Sequence, residues 1–176
     1  MTRRLRYNVA ASLDGFIADR NGGFDWILHD PAVDFAALFA SVDTIVVGRL
    51  TYEAMRAQGA PPWADGTRVY VVSRTLAPAA APGAMIVRDD PVALASELRS
   101  EEGTGDIWLF GGGQLFATLL AGGQVDSVEV TVVPVLLGEG VPLLAGGATR
   151  IVLALETTKV YPTGMIAMHY SVPGAL

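Results

Sequence analysis

Short apolar, β-branched runs alternate with helical patterns over the first two thirds of this chain, and that order restricts the folds open to it. Strands are predicted at 5–11, 44–47, 68–73, 84–87 and 106–110. Helices are predicted between them at 49–58, 91–99 and 114–121. A further helix is predicted to begin at Asp30-Pro31, because an aspartate before a proline is typical of a helix start. Strands that alternate with helices favour a parallel sheet.

The last third of the chain has strand patterns at 127–133, 150–157 and 165–172 without helices between them. Strands in direct succession favour antiparallel additions at one edge of the sheet. We therefore predict an α/β fold of three layers, in which a mixed, mostly parallel sheet is flanked by helices and ends in antiparallel C-terminal strands. Since no change of composition marks a boundary, residues 1–176 are expected to form a single domain.

Composition excludes several classes of protein. Apolar residues make up 51% of the chain and charged residues 17%, which differs from disordered sequences. The net charge is −6 and no basic run follows the first few residues, which argues against nucleic-acid binding. The chain has no cysteine, and His29 and His169 lie far apart, so no metal site is expected. Without a long apolar stretch or a secretory pattern, we expect no membrane partner and a cytoplasmic location.

Two predicted strands end at junctions that suit a phosphate-bearing ligand. At the first, Gly48 precedes a helix that carries Arg49 and Thr51, so helix amides, a guanidinium and a hydroxyl come together. At the second, Ser73 and Arg74 follow a buried strand, where loop residues line the ligand crevice of open α/β sheets. This pair suits the 2′-phosphate of NADPH. Each junction is also compatible with an ordinary polar turn.

A third junction is the run Gly111-Gly112-Gly113, between a predicted strand and the helix that begins at Gln114. Three successive glycines are costly in chain entropy, and they become understandable where a ligand approaches the backbone closely. The following helix would offer its amides to a pyrophosphate. The pattern is not the G-x-G-x-x-G fingerprint, so the usual dinucleotide fold is not indicated, and a tight turn is the alternative.

Three carboxylates are candidates for assisting proton transfer. Asp14 and Asp34 lie near predicted strand ends, and Glu139 lies in a loop between two glycines. The residues alone do not choose between them, and a solvated loop carboxylate is the alternative for Glu139.

Five segments, taken in order, resemble the dihydrofolate-reductase-like superfamily. They are residues 9–18 (VAASLDGFIA), 48–52 (GRLTY), 72–75 (VSRT), 110–115 (FGGGQL) and 133–140 (VPVLLGEG). The branch that the chain resembles most is the reductase domain of the riboflavin-biosynthesis deaminase–reductase, with its stand-alone relatives. One position departs from that branch, because Phe16 stands where a lysine typically follows the Asp-Gly pair.

The resemblance implies an NADPH-dependent reductase and assigns cofactor contacts to particular residues. These are Ala10, Ala11 and Ile17 at the nicotinamide, through backbone groups; Gly48, Arg49 and Thr51 at the phosphates; Ser73 and Arg74 as the pair that favours NADPH over NADH; and Gly111, Gly112, Gly113, Gln114 and Leu115 against the pyrophosphate and the nicotinamide ribose. The resemblance also implies a cis peptide bond between Gly111 and Gly112. Trp26 and Tyr52 are candidates for contacting the substrate.

The expected reaction is hydride transfer from NADPH to a carbonyl or imine carbon of a small heterocyclic or sugar-like substrate. One alternative is a non-catalytic NADP(H)-binding or interaction protein with the same fold. Another is a true dihydrofolate reductase, in which Trp26 and Asp34 would contact the pteridine. A homodimer is expected, with the late strands and residues 132–144 buried against the partner.

Overall fold

The computed structural model describes residues 3–59, 63, 65–146 and 150–174. Within them the chain forms ten strands and four α-helices. The strands are β1 (Leu5–Ser12), β2 (Phe16–Ala18), β3 (Val42–Gly48), β4 (Arg68–Val72), β5 (Met85–Val87), β6 (Asp106–Gly111), β7 (Ser127–Val133), β8 (Val141–Pro142), β9 (Ala154–Val160) and β10 (Ile166–Ser171). The helices are α1 (Phe35–Ala40), α2 (Arg49–Ala57), α3 (Pro91–Ser100) and α4 (Gly113–Ala121).

Eight of these strands form one sheet in the order β5-β4-β3-β6-β1-β7-β10-β9. The six strands from β5 to β7 pair in parallel. Strand β10 is antiparallel to both of its neighbours, β7 and β9. Strands β2 and β8 pair separately as a short antiparallel ribbon. The predicted mixed, mostly parallel sheet with antiparallel strands at one edge is confirmed.

Helices cover both faces of the sheet, which gives three layers. Leu98 of α3 and Leu119 of α4 are buried in a core on one face. Tyr52 of α2 is buried on the other face, where α1 also packs. Along β3, Ile45 faces the α1–α2 side and Val46 faces the α3–α4 side, so the strand is apolar on both faces rather than alternating. Among the described residues, no helix combines the length and the apolar character needed to cross a membrane.

Two Asp-Pro pairs that predict helix starts have different outcomes. The carboxylate of Asp90 caps α3, which begins at Pro91 as predicted. The helix predicted at Asp30-Pro31 is wrong, because residues 31–34 form a turn that a distant contact holds in place. Asp30 Oδ2 accepts hydrogen bonds from the backbone N and the hydroxyl of Thr163, between β9 and β10. The helix begins instead at Phe35. Asp30 Oδ1 still accepts a hydrogen bond from Ala32 N at 2.9 Å, so one carboxylate oxygen closes a local turn and the other is held by Thr163.

The late strands also differ from their predicted course in two respects. Strand β9 occupies Ala154–Val160 rather than 150–157. Strand β7 runs parallel to β1, because α4 carries the chain back across the sheet before β7 begins. Within the described main sheet, the reversal of direction therefore belongs to β10 alone.

A buried ion pair links β1 to β7. Arg6 donates from Nε and Nη2 to the two carboxylate oxygens of Glu129, at 2.7 and 2.8 Å. Asn8 and Ser127 donate to the same carboxylate. Burial alone would raise the pKa of Glu129, but its hydrogen bonds with Arg6 and the guanidinium charge lower that pKa to about 2. The carboxylate is therefore ionised at neutral pH although Glu129 is only 5% exposed.

Candidate functional site

The three junctions predicted from the sequence lie side by side. In the sheet, β3 lies between β4 and β6, and all three strands are parallel. Gly48 at the end of β3 is in register with Val72 of β4, and Val47 is in register with Gly111 of β6. The junctions therefore form one row at the carboxyl edge of the sheet, which is where open α/β folds bind ligands.

Two helices begin within this row, and their amino ends lie against each other. Gly48 is the N-cap of α2 and Gly112 is the N-cap of α4, and no side chain of the described residues caps either helix. A methyl group built on Gly48 would lie 3.5 Å from Gly112 N and 3.6 Å from Gly111 O. The partial positive charges of both helix starts are therefore concentrated at one junction, which suits a phosphate or a pyrophosphate.

A hydroxyl and a guanidinium adjoin this junction. The Gly111–Gly112 peptide bond is cis, as the resemblance implies. A methyl group built on Gly112 would lie 3.2 Å from Thr51 Oγ1, so the threonine hydroxyl is beside the glycine pair. Arg49 donates from Nη1 to Glu53 Oε2 at 2.8 Å, one turn along α2, and both side chains remain accessible. Arg49 is therefore held close to the helix start without being buried.

Gly113 is packed against the segment that begins at β8. A methyl group built on Gly113 would lie 2.3 Å from Pro142 O and 3.2 Å from Leu143 O. Ala145 N donates to Gly113 O at 3.3 Å, and Leu143 N donates to Gly15 O at 2.9 Å. The third glycine of the run is therefore required by packing, and it fixes this segment against the start of α4.

The remaining residues expected at the cofactor differ in their burial. Gln114 is exposed at the start of α4, whereas Leu115 and Ala11 belong to the main core. Ala10 and Ile17 are partly buried. Leu115 and Ala11 can therefore offer a ligand only their backbone groups.

The turn after β4 is held by hydrogen bonds from within and from the neighbouring strand. Ser73 Oγ accepts hydrogen bonds from Thr75 N at 3.2 Å and from Leu76 N at 2.9 Å. Arg88, which follows β5, donates from Nη1 to Arg74 O at 2.9 Å and from Nη2 to Leu76 O at 3.1 Å. The side chain of Arg74 is exposed. The turn therefore presents a guanidinium on a fixed backbone, next to the phosphate junction.

Arg88 is not among the predicted site residues, although the sequence contains a signal for it. Strand β5 is parallel to β4, and Arg88 is the first residue after β5, as Ser73 is after β4. The rule that selects residues at carboxyl ends of parallel strands applies equally to both.

Each of the three candidate carboxylates has a structural partner. Asp14 accepts hydrogen bonds from Ser12 Oγ at 2.6 Å and from two backbone amides of the loop after β7, and these bonds hold its pKa below the ordinary value. Asp34 caps α1. Glu139 is exposed and pairs with Arg20 at 3.0 Å. Asp14 is therefore tied to the loop that carries Glu139, whereas Asp34 belongs to a helix on one face of the sheet.

A row of aromatic side chains runs from α1 along β6 to the loop after α2. The ring centroids are 6.4 Å apart for Phe35–Phe39, 5.7 Å for Phe39–Trp108, 4.8 Å for Trp108–Phe110 and 5.7 Å for Phe110–Trp63. Trp108 and Phe110 belong to β6, and Phe110 directly precedes Gly111. The row therefore leads to the glycine run at the junction of β6 and α4. Its signal in the sequence is the pair of alternate aromatic residues immediately before the glycine run.

The two predicted substrate contacts lie in different packing clusters. Tyr52 is 2% exposed in the core between α2 and the sheet, and it lines a cavity of about 370 Å³ together with Trp63. Trp26 packs beside Tyr161 and Met165, and its Nε1 donates to Gly23 O at 3.2 Å. The structure therefore does not bring Trp26 and Tyr52 to one surface.

The sheet order and the row of phosphate-suited junctions define an α/β protein of the dihydrofolate-reductase-like class. The family model of the RibD C-terminal domain matches residues 3–167, and the chain belongs to this family. Two uncharacterized proteins of Bacillus subtilis (strain 168) are similar over nearly their whole length. YyaP is 32% identical over 180 residues, which covers 96% of this chain and 94% of YyaP. YwjB is 29% identical over 174 residues, which covers 97% of this chain and 98% of YwjB.

Solved structures agree with this assignment. A protein of Shewanella sp. PV-4 assigned to riboflavin biosynthesis superposes with a TM-score of 0.81 at 25% identity, covering 97% of this chain and 98% of that one. RibD of Acinetobacter baumannii has a TM-score of 0.77 at 17% identity, covering 97% and 58%. Dihydrofolate reductase of Enterococcus faecalis has a TM-score of 0.65 at 15% identity, covering 97% and 96%. The last two show the shared fold, and membership of the RibD C-terminal family supports an oxidoreductase in general.

Proposed function

We propose that this protein is an NADPH-dependent reductase of the riboflavin-pathway type, which reduces a carbonyl or imine carbon of a small heterocyclic or sugar-like molecule. The observation that carries this proposal is the meeting of two helix starts, at Gly48 and at Gly112, on one edge of a parallel sheet. Such a junction suits the pyrophosphate of a dinucleotide. The RibD C-terminal family and the Shewanella relative assigned to riboflavin biosynthesis support the reductase class.

The residues present at this edge fit NADPH. The two helix starts, with Thr51 and Arg49, would hold the pyrophosphate, and Ser73 with Arg74 would hold the ribose 2′-phosphate. Backbone groups near the end of β1 would meet the nicotinamide. When bound, the cofactor supplies a hydride, and the protein supplies orientation and exclusion of water. The Enterococcus dihydrofolate reductase structure contains NADP(H), which supports this use of the fold.

The aromatic row supports a planar substrate. Phe110 and Trp108 lie on β6 immediately before the glycine run, and Phe39 of α1 continues the row. A flat heterocycle stacked on the accessible part of Phe110 would lie beside the glycine run, whereas Trp108 is only 6% exposed and supports the row from within the core. The proton that completes the reduction would come from water, because Asp14, Asp34 and Glu139 are all engaged in structural contacts.

A non-catalytic NADP(H)-binding protein is the alternative, and the engagement of all three carboxylates is the observation that favours it. Folate reduction is a third possibility that would need Asp34 at the pteridine, whereas this carboxylate caps α1.

The test separates binding from turnover. NADPH and NADH are titrated calorimetrically, and NADPH oxidation is then followed with pteridines, flavin precursors and simple carbonyl compounds. We expect micromolar binding of NADPH, tighter than that of NADH, and turnover with at least one heterocycle. Arg74→Ala should weaken NADPH binding roughly ten- to hundredfold, the loss typical of a charge-assisted contact.

Arg4→Ala is the matched control, since Arg4 is exposed just before β1, at the opposite edge of the sheet. It should leave NADPH binding unchanged. Binding without turnover would favour the alternative function, and absence of binding would refute both.

We also propose a homodimer formed through the β9 edge. Every residue of β9 is exposed, including Leu155 at 56% and Val160 at 71%, and Ile166 of β10 is 40% exposed. Leu155 pairs with Tyr170 and Val160 pairs with Ile166, so these apolar side chains share one face. An exposed edge strand can pair with another chain, and two copies that meet through the face of Leu155 and Val160 would bury apolar surface. Lys159 pairs with Ala167 and therefore lies on the opposite face of β9.

A further inference from the structure

The geometry points to Arg88 as a second determinant of cofactor preference, which acts by fixing the turn that carries Ser73 and Arg74. This inference rests on the proposed function, because it concerns the 2′-phosphate of the same cofactor. Arg88 is a positioning residue here, since its hydrogen bonds go to the backbone of the turn.

Three hydrogen bonds tie this turn to the end of β5. Ser73 N donates to Val87 O at 2.8 Å, which continues the pairing of β4 with β5. The two terminal nitrogens of Arg88 then donate to two different carbonyls, Arg74 O at 2.9 Å and Leu76 O at 3.1 Å. The guanidinium therefore bridges both ends of the segment from Arg74 to Leu76.

This bridge requires the shape of a guanidinium. A planar fork can donate to two carbonyls at once in a fixed geometry, whereas a lysine ammonium is a compact point charge on a flexible stem. The hydroxyl of Ser73 already satisfies two amides inside the turn. The outward carbonyls are thus the part of the turn that Arg88 holds.

Holding these carbonyls matters because the side chain of Arg74 is exposed and has many rotamers. If its backbone were also free, the binding of a 2′-phosphate would have to order both the backbone and the side chain. With Arg88 in place, the backbone is ordered beforehand. The expected effect is therefore confined to ligands that carry the 2′-phosphate.

The experiment compares adenosine 2′,5′-bisphosphate with adenosine 5′-phosphate, and NADPH with NADH, by calorimetric titration of the full chain. The variants are Arg88→Ala and Arg88→Lys, with Arg4→Ala as a control for the loss of a charge. We expect both Arg88 variants to lower the preference for the 2′-phosphorylated ligand about tenfold, equivalent to one or two net hydrogen bonds. Affinity for adenosine 5′-phosphate should stay at the wild-type value, and the melting temperature should fall by no more than about 5 °C, as expected for the loss of one or two hydrogen bonds.

The two Arg88 variants distinguish positioning from charge. If Arg88→Lys keeps the wild-type preference, charge alone acts and the positioning role is refuted. If Arg88→Ala keeps it, Arg88 has no part in cofactor preference. If the wild-type protein binds adenosine 2′,5′-bisphosphate and NADPH no better than adenosine 5′-phosphate and NADH, which lack the 2′-phosphate, the proposed cofactor is wrong and this inference fails with it.

Discussion

Replacing Gly113 with alanine tests whether the start of α4 is fixed by the segment packed on it. Gly113 does not have a positive φ, so alanine can adopt its backbone conformation. The substitution therefore acts through the contacts of the new methyl group. The new methyl group would lie 2.3 Å from Pro142 O, whereas ordinary contact begins near 3.4 Å. The segment from Pro142 to Ala145 must therefore move away by about an ångström.

The expected cost has two parts. Forcing a methyl group into a closely packed site costs about 1–3 kcal/mol. Moving the segment also weakens the hydrogen bond from Ala145 N to Gly113 O, which is worth about 1 kcal/mol. We therefore expect the free energy of unfolding to fall by about 2–4 kcal/mol, which lowers the melting temperature of a chain of this size by roughly 5–15 °C.

Thermal and urea unfolding of Gly113→Ala measure this loss, and Gly48→Ala is the matched control. The methyl group of Gly48→Ala would make only ordinary contacts, at 3.5 and 3.6 Å, so its loss should stay within about 1 kcal/mol. A melting temperature of Gly113→Ala equal to that of Gly48→Ala would refute the reasoning.

Three further predictions concern other parts of the chain. Because the folded-state pKa of Glu129 is about 2 against an ordinary value of 4.5, its contribution of roughly 3 kcal/mol is present above pH 4.5 and is lost as the pH falls towards 2. The free energy of unfolding, measured at a series of pH values from 6 down to about 2, should fall by this amount in the wild type. In Glu129→Gln this part of the pH dependence should be missing. Asp14→Ala should speed amide hydrogen exchange at Leu137 and Gly138, whose amides bond to the Asp14 carboxylate, and unchanged exchange would contradict that link. Leu155→Glu should yield monomers in light scattering if β9 forms the dimer, whereas a wild-type monomer would exclude the dimer.

Local patterns predicted most of the sheet, because buried strands and capped helices are set by nearby residues. The three phosphate-suited junctions were predicted for the same reason, since each lies within a few residues of a strand end. Local patterns failed where a distant segment intervened. The carboxylate of Asp30 closes a local turn at Ala32 and also bonds to Thr163, and nothing near Asp30 in the sequence indicates that distant partner.

The candidate site shows the same division. The sequence pointed to the glycine run but could not show that Gly113 lies against Pro142, or that Arg88 reaches back to the turn after β4. These contacts depend on which strands become neighbours. The row of aromatic rings also depends on how distant elements pack together, because Phe39 and Trp108 belong to elements far apart in the chain.

The position of β1 within the sheet has a consequence for the order in which the chain can fold. Leu5 pairs with Ile107 of β6, and Arg6 pairs with Ser127 of β7, so the first described strand lies between partners that a ribosome makes much later. Until β6 and β7 emerge, both edges of β1 are unpaired and its apolar face is uncovered. Such non-local pairing slows folding and exposes the nascent chain to aggregation. We therefore expect the yield of folded protein to depend on protection of the amino-terminal half until β6 and β7 have been made.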